Sequence, residues 1–349
     1  MDRITTVLLA AILTTIAPPE SPALNARGVD RPLVSLSVVD EETGAPVERF
    51  RALPGVPYSG TDERSVAVWQ PHLLRESAGG RYEWPRERSY ETFRLRAEAD
   101  GYRPSMTPWL RKADGTREVT IRLRRDPGIR GVILRPDGSP AAGATLGIAL
   151  PNRTLRLAGR TIDRAGEPPA EKPGDRWRQP LTARADADGR FRLPAETDPA
   201  ALLVVVHQDG YIERPFAELL GKDAKPLPDR ELHLAPWGRI EGRVLWGDRP
   251  GAGEQVELIV SRESLYPDMV GTSGSARSDA EGRFEFRDVP PGRVQLSRLA
   301  PAPGGKDAPR YQFPVMHAEV RAGDSTEVVL GGRGRVVAGR LTGLDSYVG

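Results

Sequence analysis

Apolar and polar residues alternate over short stretches of this chain. Phe93 to Ala99 reads Phe-Arg-Leu-Arg-Ala-Glu-Ala, a strict period of two that predicts a strand with one apolar and one charged face. Val119 to Leu123 alternates in the same way, and Ala201 to Val206 is a continuous apolar strand. Near the start, Leu33, Leu36, Val38 and Val39 suit a half-buried strand, followed by a polar hairpin turn over Asp40 to Val47. Phe284 and Phe286 are expected inside, with Arg283, Glu285 and Arg287 turned to solvent.

A punctuating element recurs between these strands. Asp279-Ala280-Glu281-Gly282-Arg283-Phe284 matches Asp186-Ala187-Asp188-Gly189-Arg190-Phe191, and more loosely Ala78-Gly79-Gly80-Arg81-Tyr82. Each reads as a tight Asp/Gly turn feeding a strand. Gly80 to Gly101 and Gly189 to Gly210 both span 21 positions, and each ends in Asp-Gly-Tyr. Opening strands are expected at Gly128 to Leu134 and Gly238 to Leu245, and again at Gly334 to Leu341. Self-similarity at roughly the length of a small domain predicts repeated modules. Two stretches resist this reading: Leu53 to Glu76, taken as a long connection, and Asn152 to Gln179, taken as a polar surface loop.

Composition narrows the class. The 37 Gly and 33 Pro favour short strands joined by turns. A net charge of +2, from 50 basic and 48 acidic residues, argues against a nucleic-acid partner. Cysteine is absent, which removes disulfides, thiolate metal sites and Cys nucleophiles together. The apolar run from Ile4 to Ala17 after Arg3 is too short to span a bilayer and predicts a signal peptide over 1–26. Any membrane contact is expected only through that segment, if it stays uncleaved.

The residues Gly238 to Leu245, Pro140 to Ala144, Asp186 to Phe191, Asp279 to Phe284, Val289 to Gly292 and Asp209 to Tyr211 together carry a resemblance. The pattern resembles the carboxypeptidase regulatory-like domain, a transthyretin-like, prealbumin-like fold allied to carbohydrate-binding modules. It covers the second and third modules well and the first loosely. The resemblance implies an all-β chain of tandem antiparallel seven-stranded β-sandwich modules, about three copies and the start of a fourth. The expected divisions are 27–126, 127–236, 237–332 and a truncated 333–349. These motifs are turns and core positions, which specify fold and say little about activity.

Candidate chemistry is sparse. His72, His207, His233 and His317 are scattered, His72 and Glu76 lack the spacing of zinc ligands, and no His-Glu-x-x-His occurs. Neither a Gly-x-Ser-x-Gly elbow nor a Gly-x-Gly-x-x-Gly cradle is present. The chain is therefore read as no enzyme, with no catalytic residue, metal site or cofactor. Asp186 and Asp188 before Gly189 suit either a calcium loop or a hairpin turn, and the turn is preferred because the other copies alter those acids. His233 is expected to point outward. Among the six tryptophans, Trp84 reads as core, while Trp177 and Trp246 are the candidate ligand contacts, since exposed indoles stack on sugar rings.

The expected role is an exported structural or protein-interaction scaffold at the cell surface or in the periplasm. Its partner would be a protein or a surface polysaccharide. A carbohydrate-binding array using Trp platforms is the first alternative. An accessory region of a larger enzyme or receptor is the second.

Overall fold

A computed structural model describes residues 32–59, 65–86, 90–163, 172–220, 230–260, 269–301 and 310–333. The leader expected over 1–26 and the opening strand expected from Gly334 lie outside the described residues. The first region comprises β1 (Val34–Asp40), β2 (Arg49–Pro57), β3 (Ala67–Trp69), β4 (Arg75–Ala78), β5 (Arg81–Trp84), β6 (Thr92–Glu98), β7 (Ser105–Met106), β8 (Leu110–Arg111) and β9 (Arg117–Leu123). The second holds β10 (Ile129–Leu134), β11 (Thr145–Ala149), β12 (Leu155–Ala158), β13 (Thr161–Asp163), α1 (Pro173–Arg178), β14 (Leu181–Arg184), β15 (Arg190–Leu193), β16 (Leu202–His207), β17 (Gly210–Pro215) and β18 (Arg230–His233). The third holds β19 (Gly238–Trp246), β20 (Arg249–Pro250), β21 (Gln255–Val260), β22 (Val270–Arg277), β23 (Arg283–Val289), β24 (Gly292–Pro301), β25 (Arg310–Val320) and β26 (Ser325–Gly332). The fold is all-β.

One pairing plan occurs in all three regions. The opening strand lies antiparallel to the strand after the Asp/Gly turn and parallel to the closing strand: β1 between β5 and β9, β10 between β15 and β18, β19 between β23 and β26. A second sheet is built around the antiparallel pairs β2–β6, β11–β16 and β21–β24. Side chains from the two sheets' inner faces fill the core between them, as in a β-sandwich.

The recurring turn glycine has a physical reason in each region. Gly80, Gly189 and Gly282 have φ of 70°, 72° and 76°. Their carbonyls accept the N–H groups of Val38, Ile133 and Val244 at 2.8, 2.8 and 2.7 Å. A Cβ on Gly189 would sit 2.5 Å from the Ile133 carbonyl oxygen, and one on Gly282 2.5 Å from that of Val244. Only glycine tolerates both the positive φ and that approach. The aspartate before it closes the turn: Asp186 Oδ1 accepts the Asp188 and Arg190 N–H groups at 2.9 and 2.8 Å. Asp279 Oδ1 does the same for Glu281 and Arg283 at 3.0 and 2.7 Å. Phe284 and Phe286 are buried, and Arg283 and Arg287 are exposed.

Two expectations fail, for one reason. Leu53 to Glu76 is not a long connection, because Leu53 lies within β2, and β3, a single 3-10 turn and β4 follow. Asn152 to Gln179 is not a surface loop either: it contains β12, β13 and α1, and buries Leu155, Leu157 and Trp177. These segments pack against neighbouring regions. Phe50 and Ala52 enter the first core, while Leu53, Trp69 and Leu74 enter the second. On β16, Leu203 and Val205 face one core and Val204 and Val206 another. That two-sided burial explains why the strand is apolar throughout.

Candidate functional site

The charged face of β6 is covered by the second region rather than by water. Arg96 is 1% exposed and Glu98 is buried. Arg96 donates through Nη1 and Nη2 to both carboxylate oxygens of Glu196 at 2.8 and 2.7 Å, and through Nε to Glu98 at 2.6 Å. Glu196 Oε1 also accepts the N–H groups of Thr197 and Asp198 at 2.7 and 2.8 Å. Asp198 in turn accepts Trp69 Nε1–H at 2.6 Å and the Ala200 N–H at 2.8 Å. A bidentate Arg–carboxylate pair with its remaining lone pairs satisfied is the form in which buried charge is tolerable.

Arg153 forms the other side of this floor, and its local sequence places it. Leu150 and Arg153 exchange backbone hydrogen bonds at 2.9 and 2.8 Å across Pro151-Asn152. Pro fixes φ at the first corner and Asn152 takes φ 64° at the second, a turn these two residues favour. The Asn152 side-chain amide donates to the Trp69 carbonyl at 2.6 Å, fastening the turn to the first region. Arg153 is 4% exposed, lies 4.1 Å over the Trp177 ring and donates through Nε to the Trp177 carbonyl. Trp177 Nε1–H donates to Glu98 at 3.0 Å.

Burial and charge act in opposite directions here. Burial pushes the Glu98 carboxyl up, but Arg96, Arg153 and the Trp177 N–H outweigh it and hold Glu98 down at about 2. Burial pulls the Arg153 guanidinium down to about 10, against the attraction of Glu98. Burial also lowers Arg96, yet Glu196 and Glu98 more than offset that and raise it. Asp198 is raised by burial and by its neighbour Glu196.

Above this network lies a cleft of about 660 Å³ between the first and second regions, with Arg96, Glu98, Arg153, Trp177 and Glu196 in its lining. Arg51, Glu76, Asp100, Arg176 and Arg192 form its more exposed parts. Its volume and charged lining suit a small hydrophilic ligand.

The two tryptophans proposed as ligand contacts part company. Trp177 is 3% exposed, so it offers no face to a ligand; α1 turns it inward beneath Arg153. Trp246 is 52% exposed at the end of β19, with the Arg298 guanidinium 3.7 Å from its ring centroid and Nε1 donating to Glu254 at 3.2 Å. Arg298, Met316 and Val329 flank it in a groove of about 420 Å³. No two-tryptophan platform forms from this pair. His233 is exposed, whereas His207 is buried, its Nδ1 accepting the Asp209 N–H at 3.2 Å. Among the described residues, no group of three His, Asp or Glu is placed to hold a metal ion.

Sequence reasoning missed Arg96, Glu98, Arg153, Glu196 and Asp198. Strict alternation gives β6 a charged face but not what covers it, and only the second region buries Arg96 and Glu98. The Pro-Asn turn before Arg153 was the one local signal available.

No helix among the described residues is long and apolar enough to cross a membrane. Neither a family model nor a curated relative matches the chain. Among solved structures it is similar to a minor pilin of Streptococcus agalactiae, at 12% identity over 61% of this chain and 100% of that one, with a TM-score of 0.28. It is similar to the major pilin subunit of Bacillus cereus, at 14% identity over 85% of this chain and 97% of that one, with a TM-score of 0.22. A Pseudomonas aeruginosa protein provisionally described as carbohydrate binding aligns at 17% identity over 28% of this chain and 88% of that one, with a TM-score of 0.20. TM-scores this low carry no argument about function.

Proposed function

We propose that the chain is an exported, non-catalytic array of carboxypeptidase regulatory-like β-sandwich modules over 27–126, 127–236 and 237–332. Its role is that of a structural or protein-interaction scaffold at the cell surface or in the periplasm. The observation that carries this reading is the threefold pairing plan joined by shared cores. Trp69 of the first region packs in the second region's core, and β12 of the second pairs with β22 of the third. A scaffold works by holding its parts in fixed register, and buried junctions oppose the relative motion that is otherwise the default between domains.

Fractionation of cells producing the tagged full chain tests the export half of the proposal. The tag is expected in the periplasmic or surface fraction, with a new N-terminus near residue 24 or 27. A chain confined to the cytosol with Met1 intact overturns it.

One observation favours a second reading, carbohydrate binding in the third region. Trp246 presents an exposed ring beside a groove and is braced by Arg298. Aromatic side chains of this kind bury large area at low entropic cost. Saturable binding to insoluble polysaccharide that is lost in Trp246→Ala supports sugar recognition there. Unchanged binding in that variant, or none in the folded parent, rejects it.

A further inference from the structure

We propose that Arg94, Arg122 and Arg124 form a binding site for a phosphate group, free or carried as a monoester, in a second cleft between the first and second regions. This goes beyond the scaffold reading, which needs no ligand there and stands whether or not one binds.

The cleft has a volume of about 590 Å³ and shares only Pro104 with the lining of the one above Arg96. Arg94, Arg103, Arg122 and Arg124 line it, and Glu41 is the one carboxylate in its lining. Three stretches of chain bring the guanidinium groups together. Arg94 lies on β6, Arg122 lies on β9 and Arg124 directly follows β9. Arg103 follows the Asp-Gly-Tyr turn, and its N–H donates to the Arg124 carbonyl at 2.9 Å, which sets these two residues side by side. The second region supplies the facing wall, where Thr197 Oγ1 donates to the Pro104 carbonyl at 2.7 Å.

Unmatched charge distinguishes this cluster. Arg103 is paired with Asp126, and the adjacent Arg125 with Asp40 at 2.8 Å. Arg122 and Arg124 are exposed and form no ion pair among the described residues. Arg94 donates through Nε and Nη2 to the Thr107 carbonyl, a neutral acceptor, at 3.0 and 2.9 Å, and lies 4.8 Å over the Trp109 ring. Asp198 attracts Arg94, but its own oxygens accept the Trp69 and Ala200 N–H groups. Even with Glu41 and Asp198 set against Arg94, Arg122 and Arg124, positive charge is left over. Cations gathered on a fixed backbone repel one another, and an anion placed among them relieves that repulsion.

Geometry selects phosphate over carboxylate. One guanidinium fork satisfies both oxygens of a planar carboxylate. Groups that arrive from separate stretches instead match an anion whose oxygens diverge, as those of tetrahedral phosphate do, and Arg clusters recognise phosphate in this way. A cleft of about 590 Å³ exceeds the phosphate itself and leaves room for a small polar carrier.

Isothermal titration of the purified full-length chain in a phosphate-free buffer tests the site. Inorganic phosphate, glucose 6-phosphate, glucuronate and glucose are compared at equal ionic strength. Saturable binding of a phosphate ligand is expected, at least about tenfold tighter than glucuronate or glucose, and weakened at least about tenfold in Arg94→Gln and in the double variant Arg122→Gln, Arg124→Gln. Arg111→Gln removes an exposed arginine outside the cleft and should bind as the parent does. Arg122 and Arg124 are exposed, so the double variant still decides if Arg94→Gln fails to fold. Tighter binding of inorganic phosphate assigns the site to the free ion, and tighter binding of glucose 6-phosphate assigns it to an ester; either upholds it. No saturable phosphate binding by the folded parent, glucuronate bound as tightly, no loss in the double variant, or an equal loss in Arg111→Gln overturns it.

Discussion

The two junctions between regions are built from opposite materials. Between the first and second, an ionic network of Arg96, Glu98, Glu196, Arg153 and Asp198 is buried beside Leu53 and Trp69. Between the second and third, the contact is backbone pairing and apolar packing. β12 runs parallel to β22 with Leu155 opposite Val270, and Leu157, Val206, Tyr211 and Met269 close around them. An ion pair at this junction, Arg160 to Asp288 at 2.6 Å, sits near the surface. The apolar junction is stabilised by area removed from water and tolerates shape-conserving change. The ionic junction gains little net energy from its charges but is intolerant of losing any one of them. What it gains is a fixed relative orientation, since a bidentate pair has one geometry.

The largest effect is expected at the ionic junction. Arg96→Ala leaves Glu98 and Glu196 buried without their cation and should cost about 3–5 kcal/mol of stability in denaturant unfolding. Replacing Arg96, Glu98 and Glu196 together with apolar residues of similar volume should recover most of that loss. If the single variant loses under about 1 kcal/mol, the network is not buried as described. At the apolar junction, Leu155→Ala should cost about 3 kcal/mol through lost burial and the cavity left behind, while Leu155→Met should cost less than about 1.5 kcal/mol.

Acid separates the junctions further. Glu98 is held at about 2 in the fold against an ordinary 4.5, so its contribution is present above pH 4.5 and is lost as pH falls through about 2. Asp198 is raised and acts in the reverse sense, regaining stability as it protonates, so it blunts the loss without removing it. The first junction should therefore weaken between about pH 4.5 and about pH 2, read by hydrogen exchange in β6, while β12 and β22 change less. Glu98→Gln should flatten that dependence. A parent and variant with identical acid profiles would contradict the assignment.

Smaller effects belong to the turns that all regions share. Gly189→Ala should cost about 1–3 kcal/mol, because the new Cβ meets the Ile133 carbonyl at 2.5 Å in a backbone with φ 72°. Gly138→Ala has φ 84° but nothing within 4 Å, so it should cost about 1 kcal/mol from backbone strain alone. Thermal melts of the pair separate close approach from conformation.

Local chemistry determined the all-β class, the strand at Phe93 to Ala99, the Asp/Gly turns and the inward Phe284 and Phe286. Each follows from neighbours along the chain: alternation sets which side chain points inward, and a positive φ requires glycine. The same alternation gives β6 one apolar and one charged face without saying what covers the charges, and low periodicity made Asn152 to Gln179 a loop. Neither pattern carries information about the region that packs on it. Only the tertiary structure brings Glu196 over Arg96, tucks Trp177 beneath Arg153 and pairs β12 with β22. A sequence pattern reports which face of an element differs from the other; what covers each face is decided by residues a hundred positions away.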